Sequence, residues 1–244
     1  MFKTKDRTLL SRITTALLTR RRKRAVHFLH IRKTGGSAVA HALQGNAKTD
    51  RFKIRLHGHD VRLRDIPEGE AVVFFLRDPI SRFVSGFYSR KRQGLPKQLM
   101  PWTPEEKTAF AYFETPNQLA LALSSADLEE KGRAQRAMQG ISHVRHSYWE
   151  WFESEEYVTA RGGDIFFIGF QETLDRDFSR LKEKLGLSEA VSLPNDDVNA
   201  HRNPKGVDKR LDEQAVANLR KWYRDDYRFV ALCEKIIEEK GFCS

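Results

Sequence analysis

The chain has 244 residues, enough for one large α/β domain or two small ones with a substantial core. Lys and Arg outnumber Asp and Glu by 43 to 33, a net charge of +10, which favours an anionic partner: a polyphosphorylated nucleotide, an acidic glycan, nucleic acid or an anionic membrane. Two cysteines, Cys233 and Cys243, exclude a disulfide framework and a cysteine-rich metal cluster, and no apolar run reaches the length of a membrane span.

Residues 1–24 form a basic N-terminal segment. In "TLLSRITTALLTRRRKR" the apolar run is broken by Arg12 and the basic tract follows it, the reverse of a secretory signal. Leu9, Leu10, Ile13, Leu17 and Leu18 fall on one face of a short helix. That helix is either loosely docked with a solvated tail or in contact with a membrane surface over residues 8–24. Next, "AVHFLHI" (25–31) has the composition of a buried strand, and Ser37 to Leu43 predicts a short helix closed by Gly45. "KIRLHGHD" (53–60) is a second, weaker strand. "AVVFFL" (71–76) is a continuous apolar run, as expected of a central parallel strand.

Beyond it, Asp78 and Pro79 supply an N-cap and first helical residue. Ile80, Phe83, Val84 and Phe87 then recur at helical spacing, and Gly94 is a natural stop. Residues 95–150 predict helices with punctuation: Thr103 to Glu106 is a capping box, and Thr115-Pro116 starts another helix. "DIFFIGF" (164–170) is a further strand, followed by a helix closed at Gly186. Residues 187–208 form a polar loop, and 211–240 are mostly helical. Strands alternating with helices predict a three-layer α/β fold around a mainly parallel sheet, with ligands beyond the C-terminal strand ends.

Three stretches near those predicted strand ends carry chemistry. In Lys33-Thr34-Gly35-Gly36-Ser37, two glycines allow a tight turn and close approach to a ligand. Lys33 adds charge, Thr34 and Ser37 add hydroxyls, and the following helix adds free N–H groups. The lysine precedes the glycines, so this is not a Walker loop, nor is it the dinucleotide-binding glycine pattern. Taken alone, the pentapeptide serves an ordinary strand–helix turn equally well. Arg77 at the end of its strand and Ser85 on the adjoining helix suit a second phosphate gripped from two sides.

Together, "RKTGGS" after one strand and "RDPISRFVSGFY" after the next resemble the sulfotransferases that use 3′-phosphoadenosine 5′-phosphosulfate. The likeness runs over about residues 26 to 240 and is closest to the carbohydrate branch that includes the uronosyl 2-O-sulfotransferases. It implies a P-loop-like fold, with residues 25–244 as one sulfotransferase domain and 95–150 as a helical insertion on the acceptor side. It implies that Lys33, Thr34, Gly35, Gly36 and Ser37 hold the 5′-phosphosulfate, that Arg77 and Ser85 hold the 3′-phosphate, and that no metal is needed. "VNAHRNPKG" lies where that branch carries a basic loop near the nucleotide. It suggests Arg202 and Lys205 as a lid, although solvated loop charges explain them equally.

His57-Gly58-His59 supplies two histidines that would face one side of a strand. A neutral histidine within reach of a hydroxyl can take its proton. The resemblance nominates His59 as the base, with His57 orienting or assisting; a structural pair or metal ligands are the alternatives. His27, His30 and His41 are expected to pack around the sheet, and His143 and His146 to line an acceptor cleft or lie on the surface. Tyr148, Trp149 and Trp151 suit either stacking on a sugar or adenine, or helix packing. The expectation is a cytoplasmic enzyme that moves a sulfuryl group to a carbohydrate or other small metabolite, leaving adenosine 3′,5′-bisphosphate, with no nucleic-acid partner. The alternatives are an atypical nucleotide-dependent kinase and a non-catalytic binder of anions or nucleic acid.

Overall fold

The computed structural model describes residues 23–46, 48–96, 98–195 and 206–241. The expectations for residues 1–22, Arg202, Lys205 and Cys243 lie outside these. Four strands, β1 (Arg24–Leu29), β2 (Phe52–Leu56), β3 (Ala71–Leu76) and β4 (Ile165–Phe170), form one sheet in the order β2-β1-β3-β4. Every pairing is parallel, with Val26 opposite Ile54 on one side and Ala71 on the other. β3 matches the predicted run because all six of its residues are buried, as a strand covered on both faces requires.

Side-chain alternation splits the sheet between two cores. On one face Val26, Phe28, Val73 and Phe75 meet helices α1 (Gly36–Gln44) and, further along the chain, α8 (Leu174–Leu185) through Val39, Leu43, Phe178 and Leu181. On the other, Leu29, Val72, Phe74 and Leu76 meet α6 (Trp149–Phe152) and α10 (Arg224–Glu239) through Phe152, Phe229 and Cys233. Each such large apolar side chain contributes about 1.5–3 kcal/mol on burial. The product is the expected three-layer α/β arrangement.

A third core is purely helical. Phe83 and Phe87 of α2 (Pro79–Lys91) pack with α3 (Pro104–Tyr112), α4 (Pro116–Ala122), α5 (Leu128–Gly140) and α9 (Glu213–Trp222). The capping signals hold: Asp78 accepts from the Ser81 N–H at 2.7 Å, and Thr103 and Thr115 form reciprocal boxes with Glu106 and Gln118. Glu106 also receives Arg90 at 2.5 and 2.7 Å in the interior, tying α3 to α2. A short α7 (Glu155–Ala160) leads towards β4.

One predicted element differs. β2 stops at Leu56, so His57 and His59 follow the strand and do not share one of its faces. Within the strand the alternation is regular, with Phe52 and Ile54 buried and Lys53 and Arg55 exposed. The mostly helical stretch expected over 211–240 is present as α9 and α10, and Tyr223 at their junction turns inward and donates to the Val144 carbonyl at 2.9 Å.

Candidate active site

The chain leaves β1, forms β2 on one side of it and returns to build β3 on the other. The crevice at that reversal is where open parallel sheets bind ligands. A cleft of about 1060 Å³ opens there, lined by the residues that follow β1, β2 and β3 and by the start of α8.

The turn after β1 is tightly specified. Lys33 has φ 67° and Gly35 φ 83°, two left-handed residues within three. For lysine this conformation costs about 1–2 kcal/mol. Gly36 is demanded by space: a Cβ there would lie 2.6 Å from Cδ2 of His30. No side chain caps α1, and its first residues, Gly36 and Ser37, line the cleft, where the free N–H groups of a helix start and the positive end of its dipole suit an anion. Lys33, Gly35, Gly36 and Ser37 all line the cleft. Thr34 does not: it is buried, and its hydroxyl donates to the Ile31 carbonyl at 3.1 Å, so it braces the turn. The expected side-chain contribution of Thr34 to an anion is thereby corrected. Burial lowers the Lys33 pKa to about 7, and the neighbouring Arg92 and Arg77 charges add to the effect.

Arg77 sits directly beyond β3, with its Nε donating to Ser81 Oγ at 2.8 Å, and Ser85 lies one turn further along α2. Both line the cleft, as expected, and so does Ser89. Ser81, Ser85 and Ser89 recur every fourth residue and so share one face of the helix. That spacing was the available signal for Ser89. The cleft therefore has cationic and hydroxyl donors at two strand ends, a donor set that fits a ligand carrying anionic groups at two points.

The histidines separate. His59 lines the cleft, and its Nδ1–H donates to the His30 carbonyl at 2.7 Å, leaving Nε2 as the unprotonated nitrogen. Burial lowers its pKa; the His30 hydrogen bond opposes that and the Arg32 charge reinforces it. His57 turns away from the cleft. Its Nε2 lies 2.8 Å from Nδ1 of buried His27, whose other nitrogen meets Glu70. The expectation that His57 acts beside His59 gives way to an anchoring position. His27 is packed in the sheet as expected, but His30 lines the cleft within 3.3 Å of Ser37 Oγ, and His41 is exposed on α1.

His143 also reaches the cleft, while His146 pairs with Glu150. Burial, together with the Lys33 and Arg32 charges, lowers the His143 pKa to about 2, so it is neutral. The helix-interior Gly86 admits its loop: a Cβ there would lie 2.7 Å from the His143 carbonyl oxygen. The far wall, Gln171 to Arg176 at the start of α8, was read from the sequence as the passage from a strand into a helix and not as part of the site. Tyr148 and Trp151 are buried and do not line the cleft, which makes them packing residues and not a stacking platform. Among the described residues, no group of three or more His, Cys, Asp or Glu is placed to hold a metal ion, and no helix is long and apolar enough to cross a membrane.

The fold and the cleft at its switch point define an α/β protein with a ligand site at the C-terminal ends of its parallel strands. A family model described as "Sulfotransferase family" matches residues 17–230, and the chain belongs to that family. Sulfuryl transfer is therefore its general activity, and a nucleotide sulfate is the kind of donor the family implies. Neither curated proteins nor solved structures yielded a match.

Proposed function

We propose that the cleft binds 3′-phosphoadenosine 5′-phosphosulfate and moves its sulfuryl group to a hydroxyl of a carbohydrate or another small metabolite. The donor supplies an activated sulfur–oxygen bond; the chain's own residues hold and polarise it. The observation that carries this reading is the convergence of Lys33 and the α1 N-terminus, Arg77 with Ser85, and His59 on one cleft.

In this scheme His59 Nε2 takes the acceptor proton as the acceptor oxygen bonds to sulfur. The bond from sulfur to the 5′-phosphate oxygen breaks, and its electron pair stays on the phosphate. Lys33 and the N–H groups of Gly36 and Ser37 stabilise the charge that develops there, and Arg77, Ser85 and Ser89 fix the 3′-phosphate. The pieces need only be positioned, as in phosphoryl transfer. Arg202 and Lys205 are assigned, on the family resemblance, to a basic loop near the nucleotide; Asn195 before them and Lys209 after them line the cleft.

The carbohydrate reading, closest to uronosyl 2-O-sulfotransferases, rests on the His-Gly-His stretch after the second strand. The domain assignment, residues 25–244 with 95–150 toward the acceptor, belongs to the same proposal, as does a cytoplasmic location. An acceptor screen with labelled donor, run beside a His59→Ala control, tests it. Label should pass to a hydroxyl compound with the wild-type chain and fall by about 100-fold or more in the control. Equal transfer by both would overturn His59 as base.

A further inference from the structure

Segment 146–152, "HSYWEWF", was the aromatic stretch whose role the sequence left open. It contributes no side chain to the cleft, yet it bonds the backbone behind two of the three loops that do, and Arg82, packed against it from α2, bonds the third. The Tyr148 hydroxyl donates to the Arg77 carbonyl at 2.6 Å and accepts from the Arg77 N–H at 3.1 Å, at the end of β3. Trp151 Nε1 donates to the His59 carbonyl at 2.9 Å, beyond β2. Between these two rings lies the Arg82 guanidinium, 4.5 Å from the centre of Tyr148 and 5.7 Å from that of Trp151. Its Nε donates to the Arg32 carbonyl at 3.1 Å, immediately before Lys33 and beyond β1, and its Nη1 donates to the His146 carbonyl at 2.8 Å.

The segment is itself held from below. Asp226 of α10 accepts from the Ser147 hydroxyl at 2.6 Å and the Tyr148 N–H at 2.7 Å, and lies 3.7 Å from Arg82. Arg82, Tyr148, Trp151 and Asp226 are all at most 3% exposed. A purely apolar plug would fill this space without seven directed hydrogen bonds. Buried polar groups that are partnered favour one arrangement, because the alternatives leave them unpaired; in this network Arg82 Nη2 and Asp226 Oδ2 are the buried atoms without a hydrogen-bond partner.

We propose that Arg82, Tyr148 and Trp151 are positioning residues that set the separation of the three cleft loops: Lys33 through Arg32, Arg77, and His59. The inference rests on the donor-and-base reading above and deepens it. Each tie serves a different functional group. Tyr148 fixes the proposed 3′-phosphate grip, Arg82 the turn at Lys33, and Trp151 the proposed base. In a transfer that works by alignment, a displacement of about 1 Å can cost about 100-fold in rate. Loss of one tie therefore damages one function and spares the others.

The test compares Tyr148→Phe, Trp151→Phe and Arg82→Lys with the wild-type chain. It uses calorimetry with adenosine 3′,5′-bisphosphate, turnover with labelled donor, and an NMR titration of the His59 ring. Melting curves identify which variants remain folded. Tyr148→Phe should weaken the bisphosphate about tenfold or more and leave the His59 titration unmoved; Arg82→Lys should weaken it as much, with a smaller His59 shift than Trp151→Phe gives. Trp151→Phe should bind the bisphosphate within about threefold of wild type, lose about tenfold or more in turnover, and shift the His59 titration. If all three variants lose binding and turnover together in proportion to their melting temperatures, the residues are ordinary core and the inference fails. If Trp151→Phe does not fold, Trp151→Tyr replaces it under the same criteria. A wild-type chain that does not bind the bisphosphate sinks the donor reading instead, and the His59 titration in the variants then decides the positioning role by itself.

Discussion

Lys33 gives the proposed donor site a pH signature. In the free cleft its pKa is lowered to about 7 from the ordinary lysine value of 10.5, because burial and two nearby arginines disfavour its charge. A bound phosphate would supply the missing counter-charge and raise that pKa again. The linkage has a definite sign. The group is raised on binding, so its contribution is fully present below the free-state value near 7 and is lost as pH rises toward the bound-state value. Between those limits, affinity for adenosine 3′,5′-bisphosphate should fall about tenfold per pH unit, with net uptake approaching one proton. The measurement belongs above pH 7, where phosphate monoesters with a second pKa of about 6 are already ionised. Calorimetry at pH 7, 8 and 9, in buffers of different ionisation enthalpy, reads both quantities. Lys33→Arg should flatten the profile, since its charge does not titrate in this range. Wild-type affinity that is constant from pH 7 to 9, or proton release in place of uptake, would refute the reasoning.

Three further outcomes follow from named contacts. With the His59 pKa below its ordinary 6.5, turnover should be lost only as pH falls through that lower value, since protonation removes the Nε2 lone pair; a pH–rate profile with its acid limb above 6.5 would contradict the assignment. Gly36→Ala should cost turnover and binding together, because the new methyl group must displace the His30 ring, which packs 4.0 Å from that of His59; unchanged kinetics would show that the contact is readily relieved. Glu106→Gln should destabilise the chain by about 3–5 kcal/mol, since it strands the buried Arg90, and thermal melting should fall by about 10 °C with no selective effect on bisphosphate affinity.

Much of the scaffold was legible because local signals agreed with the fold. The β3 run is apolar throughout because both faces are covered, and Asp78, Thr103, Thr115 and Gly186 mark helix ends through short-range hydrogen bonds and backbone conformation. The cleft-lining positions of Lys33, Gly35, Gly36, Ser37, Arg77 and Ser85 were legible because each follows a strand at the same end of a parallel sheet. What escaped depends on contacts between distant segments. Thr34 was expected to offer its hydroxyl outward, yet Ile31 takes it. His57 was grouped with His59 by alternation, but β2 ends before them and buried His27 captures His57. His143 enters from a loop far along the chain and is admitted by Gly86, while Tyr148 and Trp151 turn toward backbone that only tertiary structure brings within reach.

The account turns on a cleft that grips a nucleotide by two separate phosphates. Competition calorimetry of adenosine 3′,5′-bisphosphate against adenosine 5′-monophosphate tests this directly. The bisphosphate should bind at least about tenfold more tightly, as expected for one charge-assisted phosphate contact, and Arg77→Ala should erase the difference. Equal binding of the two nucleotides by the wild-type chain, or an advantage that survives Arg77→Ala, would contradict it.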